Sequence, residues 1–287
     1  MLNAAVQVVH CGRVDYALAL TRQERLAADI AAGRAAETLL LLEHPPVYTI
    51  GRGGDAAHLL DPQAQVLRVD RGGDITWHGP GQVVGYPLVH LGRRGRDLHH
   101  WLCLLEELLI RTLAAFAVPA GRRAGMTGVW SERGKIGFVG VGVRRWVSLH
   151  GFSLNVCPDL AAFDRIVPCG IPSCPLPEQL LLLSLVRRPF HHAHLPETAC
   201  PQGPEAVRRC PGRTQGRLQV AQRLIIAGVG QLKHAVMGGQ GGRPAQFGPG
   251  LYCLGRVHVG VLHEPARVVG ADGQDGQPER SVLEGGR

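Results

Sequence analysis

Cys169 is the residue of this sequence whose type and setting best fit covalent chemistry. It lies between Pro168, which is rigid, and Gly170, which could let a backbone N–H point at an oxyanion formed when a thiolate attacks a carbonyl. Cysteine is also among the most frequently buried residue types. Inert packing is therefore the alternative for any one of the 8 cysteines in the chain.

Lys135 stands out because the chain otherwise avoids lysine. Of the 31 basic residues only Lys135 and Lys233 are lysines. Arginine stays protonated in proteins, whereas a lysine can transfer a proton when burial or a neighbouring charge favours its neutral form. A lysine kept at position 135 therefore indicates proton transfer, and an exposed hairpin lysine is the alternative.

Residues 71–82 form a glycine-rich segment that also carries polar side chains. Its glycines allow the backbone to approach a bound group closely, and its polar side chains project from the same short stretch. The residues concerned are Arg71, Gly72, Gly73, Asp74, Thr76, His78, Gly79 and Gly81. A plain hairpin is the alternative interpretation of the segment.

Strands and helices are predicted to alternate over the first 176 residues. The predicted strands are 5–9, 38–42, 47–49, 66–69, 83–89 and 148–156, with a hairpin formed by 127–130 and 135–145, and the predicted helices are 15–32 and 98–117. Mixed strands with helices set to one side of them predict an α+β sheet domain over residues 1–176.

Residues 177–287 show no such pattern. Gly, Pro, Gln, Arg and His are mixed with short apolar runs, and neither the helical nor the strand period is sustained. We expect a tail of no assignable fold, which is either disordered or frame-shifted from a position near Cys174.

The composition excludes several classes of protein. No uncharged apolar run is long enough to cross a membrane, and residues 1–14 lack a signal-peptide pattern, so we expect a soluble cytoplasmic protein. The cysteines form no Cys-x-x-Cys pair, which argues against a zinc site and a disulfide framework. The net charge is +8, but aromatic residues make up only 5 % of the chain, too few for a stacking surface that binds nucleic acid.

Four segments resemble, in this order, the octanoyltransferase family of lipoate biosynthesis. They are Leu41–Thr49, Arg71–Gln82, Gly134–Val141, and His150–Val156 together with Phe163–Gly170. Their joint order and spacing are far more specific than a single glycine-rich loop. The resemblance ends soon after Cys169, because residues 172–179 depart from the family pattern and the closing helices of the domain are not recognisable.

The resemblance implies a fold and a site. The fold is that of the biotin/lipoate protein ligase catalytic domain, a mixed sheet with packed helices. Cys169 corresponds to the nucleophile, and Lys135 to the lysine that favours its thiolate and handles protons. The matching residues that line the acyl and pantetheine pocket are Arg71, Gly72, Gly73, Asp74, Ile75, Thr76, Trp77, His78, Phe138, Val139, Gly140, Gly151, Phe152 and Ser153.

The resemblance also implies an activity. An octanoyl group would pass from the phosphopantetheine of octanoyl-acyl carrier protein to Cys169, and then to a lysine of a lipoyl domain. The acceptors would be 2-oxoacid dehydrogenase complexes and the glycine cleavage H protein. No cofactor or metal is implied, and we expect a monomer without nucleic-acid or membrane partners.

Three alternatives remain open from the sequence. An ATP-dependent lipoate or biotin ligase of the same fold would need a lysine near position 135 but no cysteine nucleophile. A thioesterase would use Cys169 with His78 or His150 and release the free acid. A catalytically silent module would bind acyl carrier or lipoyl domains without chemistry.

Overall fold

The computed structural model describes residues 6–177, together with Gln222, Ile225 and the backbone of Val261 and Leu262. Apart from these few positions, the predictions for residues 177–287 lie outside the described residues. Within the described part of the chain, no helix combines the length and hydropathy that a membrane crossing requires.

The described residues form two sheets, and the larger of them has eight strands. In chain order these strands are β1 (Gln7–Arg13), β2 (Thr38–Glu43), β6 (Gln82–Leu88), β7 (Gly121–Arg123), β8 (Met126–Ser131), β9 (Gly134–Arg144), β10 (Val147–Asn155) and β11 (Val261–Leu262). Their spatial order is β11-β1-β2-β6-β10-β9-β8-β7. β1 runs parallel to β11 and β2, and the other neighbours are antiparallel.

The smaller sheet has three strands and carries part of the glycine-rich segment. The strands are β3 (Val47–Ile50), β4 (Val66–Arg68) and β5 (Ile75–His78), in the order β4-β3-β5. β5 pairs with β3, whereas β6 pairs with β2 and β10 of the larger sheet. Residues 71–82 therefore cross from one sheet to the other, and the plain-hairpin interpretation is wrong.

An aspartate caps the start of each of the two long helices. α1 spans Tyr16–Ala31, and the Asp15 carboxylate accepts hydrogen bonds from two N–H groups of its first turn. α2 spans Leu98–Ala115, and Asp97 caps it by accepting from the His100 N–H. Both predicted helices are confirmed, with bounds that differ by one or two residues.

The helices lie on opposite faces of the larger sheet. Leu40 and Leu42 of β2 pack in the core that includes α1, while Leu39 and Leu41 pack in the core that includes α2. Side chains alternate between the two faces of a strand, so β2 contributes to both cores. The prediction that the helices lie on one side is wrong, although the mixed-sheet fold class is confirmed.

A third core joins the smaller sheet to the larger one. Phe138 of β9 stacks on Phe163 with a centroid distance of 5.8 Å, and Ile75 and Trp77 of β5 belong to the same cluster. Short 3₁₀ turns at Ala56–His58, Leu160–Arg165 and Pro168–Gly170 flank this core. Cys169 is therefore carried by a loop that packs beside the smaller sheet.

Candidate active site

Cys169 and Lys135 meet at the centre of the site. The Lys135 ammonium donates a hydrogen bond to the Cys169 sulfur, with 3.2 Å between Nζ and Sγ. Lys135 is 3 % exposed, and its Nζ lies 5.4 Å from the ring centroid of Trp130 and 5.1 Å from that of Phe138. The rings attract the cation without competing for its protons, so the ammonium is directed at the sulfur. The pair thus brings a nitrogen donor to the sulfur of a cysteine, the atom that acts as the nucleophile in cysteine chemistry.

The β8–β9 hairpin places Lys135. Lys135 follows the hairpin turn at the start of β9, and its backbone N–H donates to the Pro175 carbonyl over 2.8 Å. Its side chain passes over Gly128 of β8. A Cβ at position 128 would lie 2.7 Å from Lys135 Cε and 2.6 Å from the Gly137 carbonyl oxygen. The glycine leaves the room that the lysine needs.

The Cys169 loop has an unusual backbone. Cys169 has φ 59° and ψ 19°, the left-handed region that residues other than glycine seldom adopt. Such a conformation costs on the order of 1–3 kcal/mol, so the surrounding contacts must hold it. The Gly170 N–H donates to the Val167 carbonyl over 3.0 Å. That N–H is engaged in the turn, which corrects the expectation that it points at an oxyanion.

A cavity of about 410 Å³ opens beside the Cys169–Lys135 pair. Of the residues predicted to line a pocket, eleven border it: Arg71, Gly73, Asp74, Thr76, His78, Phe138, Val139, Gly140, Gly151, Phe152 and Ser153. Cys169 and Lys135 border it as well. The structure therefore brings segments from both sheets and from the cysteine loop to one place.

Three residues predicted to line the pocket lie elsewhere. Ile75 and Trp77 alternate along β5 with Thr76 and His78, and they face the third core instead of the cavity. The Gly72 N–H donates to the Val141 carbonyl over 2.8 Å, which joins the glycine-rich segment to β9. These three residues support the wall of the cavity from behind.

Seven further residues border the cavity without having been predicted to line it. They are Tyr16, Tyr86, Gly125, Met126, Thr127, His150 and Ile171. Tyr16 lies at the start of α1 and Tyr86 within β6, where the hydrophobic pattern assigns both to the core. Their hydroxyl groups could have indicated a place at the cavity, because a polar atom on an otherwise apolar face needs a hydrogen-bond partner.

Arg71 shapes the glycine-rich segment from inside the protein. Its Nη1 donates to the carbonyls of Gly72 and Asp74, and its Nη2 donates to the carbonyl and hydroxyl oxygens of Thr49. Burial lowers the pKa of Arg71, but an arginine keeps its charge at neutral pH. The guanidinium thus fixes the segment to β3 and supplies a positive charge beside the cavity.

Four buried polar atoms on the cavity wall have no hydrogen-bond partner in the described part of the chain. They are Arg71 Nε, Thr76 Oγ1, His150 Nε2 and Ser153 Oγ. Buried polar groups without partners are rare and costly, so their concentration around one cavity indicates that a bound molecule or water completes them.

Two buried histidines near the cavity have tautomers set by their partners. His44 Nδ1 donates to the Val14 carbonyl over 2.7 Å, so its Nε2 accepts from the Tyr86 hydroxyl. His78 Nδ1 donates to Gln82 Oε1 over 2.9 Å, which leaves its Nε2 as an acceptor.

The buried histidines are neutral at neutral pH, and burial is the main cause. It lowers the pKa of His44 to about 4, that of His78 to about 3, and that of His150 to about 4. Burial also raises the pKa of Tyr16 to about 12. His78, His150 and Tyr16 therefore offer uncharged hydrogen-bonding groups to the cavity, next to the positive charge of Arg71.

The pairing of the sulfur bears on the thioesterase alternative. Cys169 is hydrogen-bonded to Lys135, whereas Nδ1 of His150 lies 3.4 Å from the Tyr16 hydroxyl and Nδ1 of His78 bonds to Gln82. This geometry favours a cysteine–lysine pair over a cysteine–histidine pair.

Comparisons with known proteins identify the family to which this chain is similar. Residues 15–175 match the family model described as the lipoyl protein ligase A/B catalytic domain. The octanoyltransferase of Geobacter sulfurreducens is 59% identical over 171 residues, which are 60% of this chain and 73% of that protein. The octanoyltransferase of Geobacter metallireducens is 59% identical over 165 residues, covering 58% of this chain and 78% of that protein.

A solved structure supports the fold alone. A T. acidophilum protein described as a lipoate protein ligase superposes with a TM-score of 0.50 at 13% identity, covering 80% of this chain and 85% of that chain. The ligase-like fold predicted from the sequence is confirmed.

Proposed function

The chain belongs to the octanoyltransferases of the lipoyl protein ligase A/B catalytic-domain family, which are acyltransferases of protein lipoylation, and on this premise we propose a two-step mechanism. In it, Cys169 takes the octanoyl group from octanoyl-acyl carrier protein and passes it to a lysine of a lipoyl domain. The observation that carries the proposal is the 3.2 Å contact between Lys135 Nζ and Cys169 Sγ, two residues that border the cavity.

In the first step the Cys169 thiolate attacks the carbonyl carbon of the donor thioester. A new C–S bond forms to Cys169, and the C–S bond to the phosphopantetheine sulfur breaks. The Lys135 ammonium gives its proton to the departing thiolate. One thioester replaces another, so the step is nearly isoenergetic and yields an octanoyl-enzyme intermediate.

In the second step the neutral amine of the acceptor lysine attacks the octanoyl-Cys169 carbonyl. An amide C–N bond forms, the C–S bond breaks and Cys169 leaves as a thiolate. Lys135, neutral after the first step, accepts the proton that the attacking amine must lose. The pair then returns to its starting charge state.

The cavity provides room for the alkyl chain. Phe138, Val139 and Phe152 contribute apolar surface, and Gly140 and Gly151 expose backbone between them. A Cβ at position 151 would lie 2.4 Å from the Gly85 carbonyl oxygen, so this wall stays close to the neighbouring strand. A cavity of about 410 Å³ matches the range of small-molecule pockets.

The proposed chemistry needs no cofactor or metal, because the donor thioester already carries an activated acyl group. The proposed acceptors are the lipoyl domains of 2-oxoacid dehydrogenase complexes and the glycine cleavage H protein. We propose that the reaction takes place in the cytoplasm, since a reactive thiolate needs a reducing compartment. We also propose that the protein acts as a monomer. An ATP-dependent ligase would instead need nucleotide to activate a free acid.

Acylation of a single cysteine tests the proposal. The protein is incubated with octanoyl-acyl carrier protein without ATP, and intact and peptide mass spectrometry locate the octanoyl adduct. We expect the adduct on Cys169 and its transfer to a lipoyl-domain lysine. Cys169→Ser should abolish both, while Cys103→Ser, at an exposed cysteine, should change neither.

Other outcomes would assign a different reaction. Release of free octanoate in place of transfer would indicate a thioesterase. A strict need for ATP and free octanoate would indicate a ligase. A folded protein without any adduct on Cys169 would contradict the cysteine mechanism.

A further inference from the structure

His58 and Asp74 form a hydrogen-bonded pair beside the loop that carries Cys169. His58 Nδ1 lies 2.6 Å from Asp74 Oδ2, and the two side chains are 28% and 12% exposed. The two residues come from different segments, a short 3₁₀ turn and the glycine-rich stretch. Neither takes part in the acyl-transfer steps described above.

The pair lies directly against the residue that follows the nucleophile. A Cβ built on Gly170 would lie 2.6 Å from Asp74 Oδ2 and 3.0 Å from His58 Cε1. Gly170 has a positive φ of 66° and Cys169 one of 59°, so two successive residues are left-handed. The His58–Asp74 pair thus packs directly against this strained turn.

The backbone of His58 is hydrogen-bonded to the loop that carries Cys169. Its carbonyl accepts a hydrogen bond from the Val167 N–H over 2.7 Å, two residues before Cys169. Leu59 forms an antiparallel bridge with Ile166. A movement of the His58 segment is therefore transmitted to the loop that carries the nucleophile.

Asp74 is hydrogen-bonded to residues that form or support the wall of the cavity. Its Oδ1 accepts from the Ile75 N–H over 2.6 Å, and its carbonyl accepts from Arg71 Nη1 over 2.9 Å. Asp74 also borders the cavity. The His58–Asp74 pair consequently links the wall of the cavity to the loop that carries the nucleophile.

We propose that the His58–Asp74 pair is a positioning device that keeps the Cys169 sulfur within hydrogen-bond reach of Lys135. Both residues act through the loop rather than on the reacting atoms. The inference rests on the proposed role of Cys169 as the nucleophile. Displacing a reacting group by roughly 1 Å can cost about a hundredfold in rate, so a partly loosened loop should cost about tenfold or more.

The reactivity of Cys169 toward iodoacetamide tests this inference without any acyl donor. Alkylation of the Cys169 peptide is followed by mass spectrometry from neutral to alkaline pH in the wild type, His58→Ala, His58→Asn, Asp74→Asn and the double variant His58→Ala/Asp74→Asn. Asparagine at position 58 keeps a donor near the place of Nδ1, and asparagine at position 74 keeps the shape of the carboxylate.

We expect His58→Ala and Asp74→Asn to slow alkylation about tenfold at neutral pH, because less of the sulfur is thiolate when the loop moves away from Lys135. The difference should vanish at alkaline pH, where the thiol ionises without help. His58→Asn should recover part of the rate. The double variant should be no slower than the slower single variant, since the pair acts as one unit.

A merely structural role would lower thermal stability without this pH-dependent change in alkylation. Asp29→Asn serves as the matched control, because it removes an ion pair with Arg34 at the end of α1, with 2.7 Å between Oδ1 and Nη2. Wild-type alkylation rates in Asp74→Asn and His58→Ala, or strictly multiplicative losses in the double variant, would overturn the inference. Failure of octanoyl transfer with the alkylation pattern intact would contradict the proposed function alone.

Discussion

At the scale of residues, the site depends on Lys135, which cannot be replaced by arginine, the basic residue that predominates in this chain. Lys135 is buried between two aromatic rings with its ammonium on the Cys169 sulfur. Arginine would keep the charge but could not take up the proton of an attacking amine. Substitution of Lys135 by arginine therefore separates the effect of the positive charge from the effect of proton transfer.

Lys135→Arg should retain part of the Cys169 acylation but slow the second step by roughly 10²–10⁴-fold, the usual contribution of a general base. The measurement is a single-turnover assay, in which octanoyl-enzyme is mixed with a lipoyl domain. Arg133→Lys, in the turn of the same hairpin, makes the reverse exchange at an exposed position and should leave both steps unchanged. A second step that proceeds at the wild-type rate in Lys135→Arg would argue against the assigned base.

Gly128 is a second residue on which the position of Lys135 depends. Gly128→Ala would put a Cβ 2.7 Å from Lys135 Cε at a positive φ of 117°. We expect about 1–3 kcal/mol of destabilisation and a loss of transfer, because the lysine must move. Urea unfolding and transfer assays measure the two effects.

Gly121→Ala is the matched control for that change. Position 121 lies on the neighbouring strand, and a Cβ there meets nothing within 4 Å. The control variant should keep wild-type stability and transfer. Wild-type transfer in Gly128→Ala would show that Lys135 tolerates displacement.

At the scale of elements, β5 separates structural from functional positions by alternation. Ile75 has no exposed surface and packs in the third core, whereas the Thr76 hydroxyl at the cavity has no hydrogen-bond partner among the described residues. A single strand of the smaller sheet thus both stabilises the fold and lines the cavity.

Substitutions at adjacent positions of β5 should consequently act on different properties. Ile75→Ala should lower the free energy of unfolding by about 2–5 kcal/mol, the usual cost of truncating a buried aliphatic residue. Thr76→Val should leave stability nearly unchanged and raise the KM for octanoyl-acyl carrier protein, because a donor to the bound molecule is lost. Urea titrations and steady-state kinetics distinguish the two, and the opposite assignment of effects would contradict the alternation.

At the scale of the whole molecule, the two sheets and the helices on opposite faces enclose several neutral histidines. His44, His78 and His150 have folded-state pKa values of about 4, 3 and 4, below the 6.5 that a histidine has in an unfolded chain. The unfolded state therefore binds protons more readily than the folded state over this pH range. The contribution of these groups to stability is present above about pH 6.5 and is lost as the pH falls toward 4.

We expect the free energy of unfolding to fall between pH 7 and pH 5 by an amount on the order of a few kcal/mol. Urea unfolding at several pH values measures the slope. His44→Gln should make the slope smaller, whereas His99→Gln, at an exposed position in the first turn of α2, should not. A pH-independent stability would show that the buried histidines do not resist protonation.

Local patterns in the sequence determined much of this protein. The helical spacing of apolar residues placed both helices, because this periodicity acts over a few residues. The bias against lysine singled out Lys135, and the Pro-Cys-Gly setting singled out Cys169. The resemblance carried by four segments identified the family.

Only the tertiary structure decided what these residues contact. Thirty-four positions separate Lys135 from Cys169, and their 3.2 Å contact exists because the hairpin of one sheet meets the loop beside the other. The opposite placement of the helices, the crossing of residues 71–82 between sheets and the wall contributed by Tyr16 and Tyr86 were likewise undetermined by the sequence. A short sequence pattern indicates which residues share a face of one helix or strand. What that face contacts is determined by packing between distant parts of the chain.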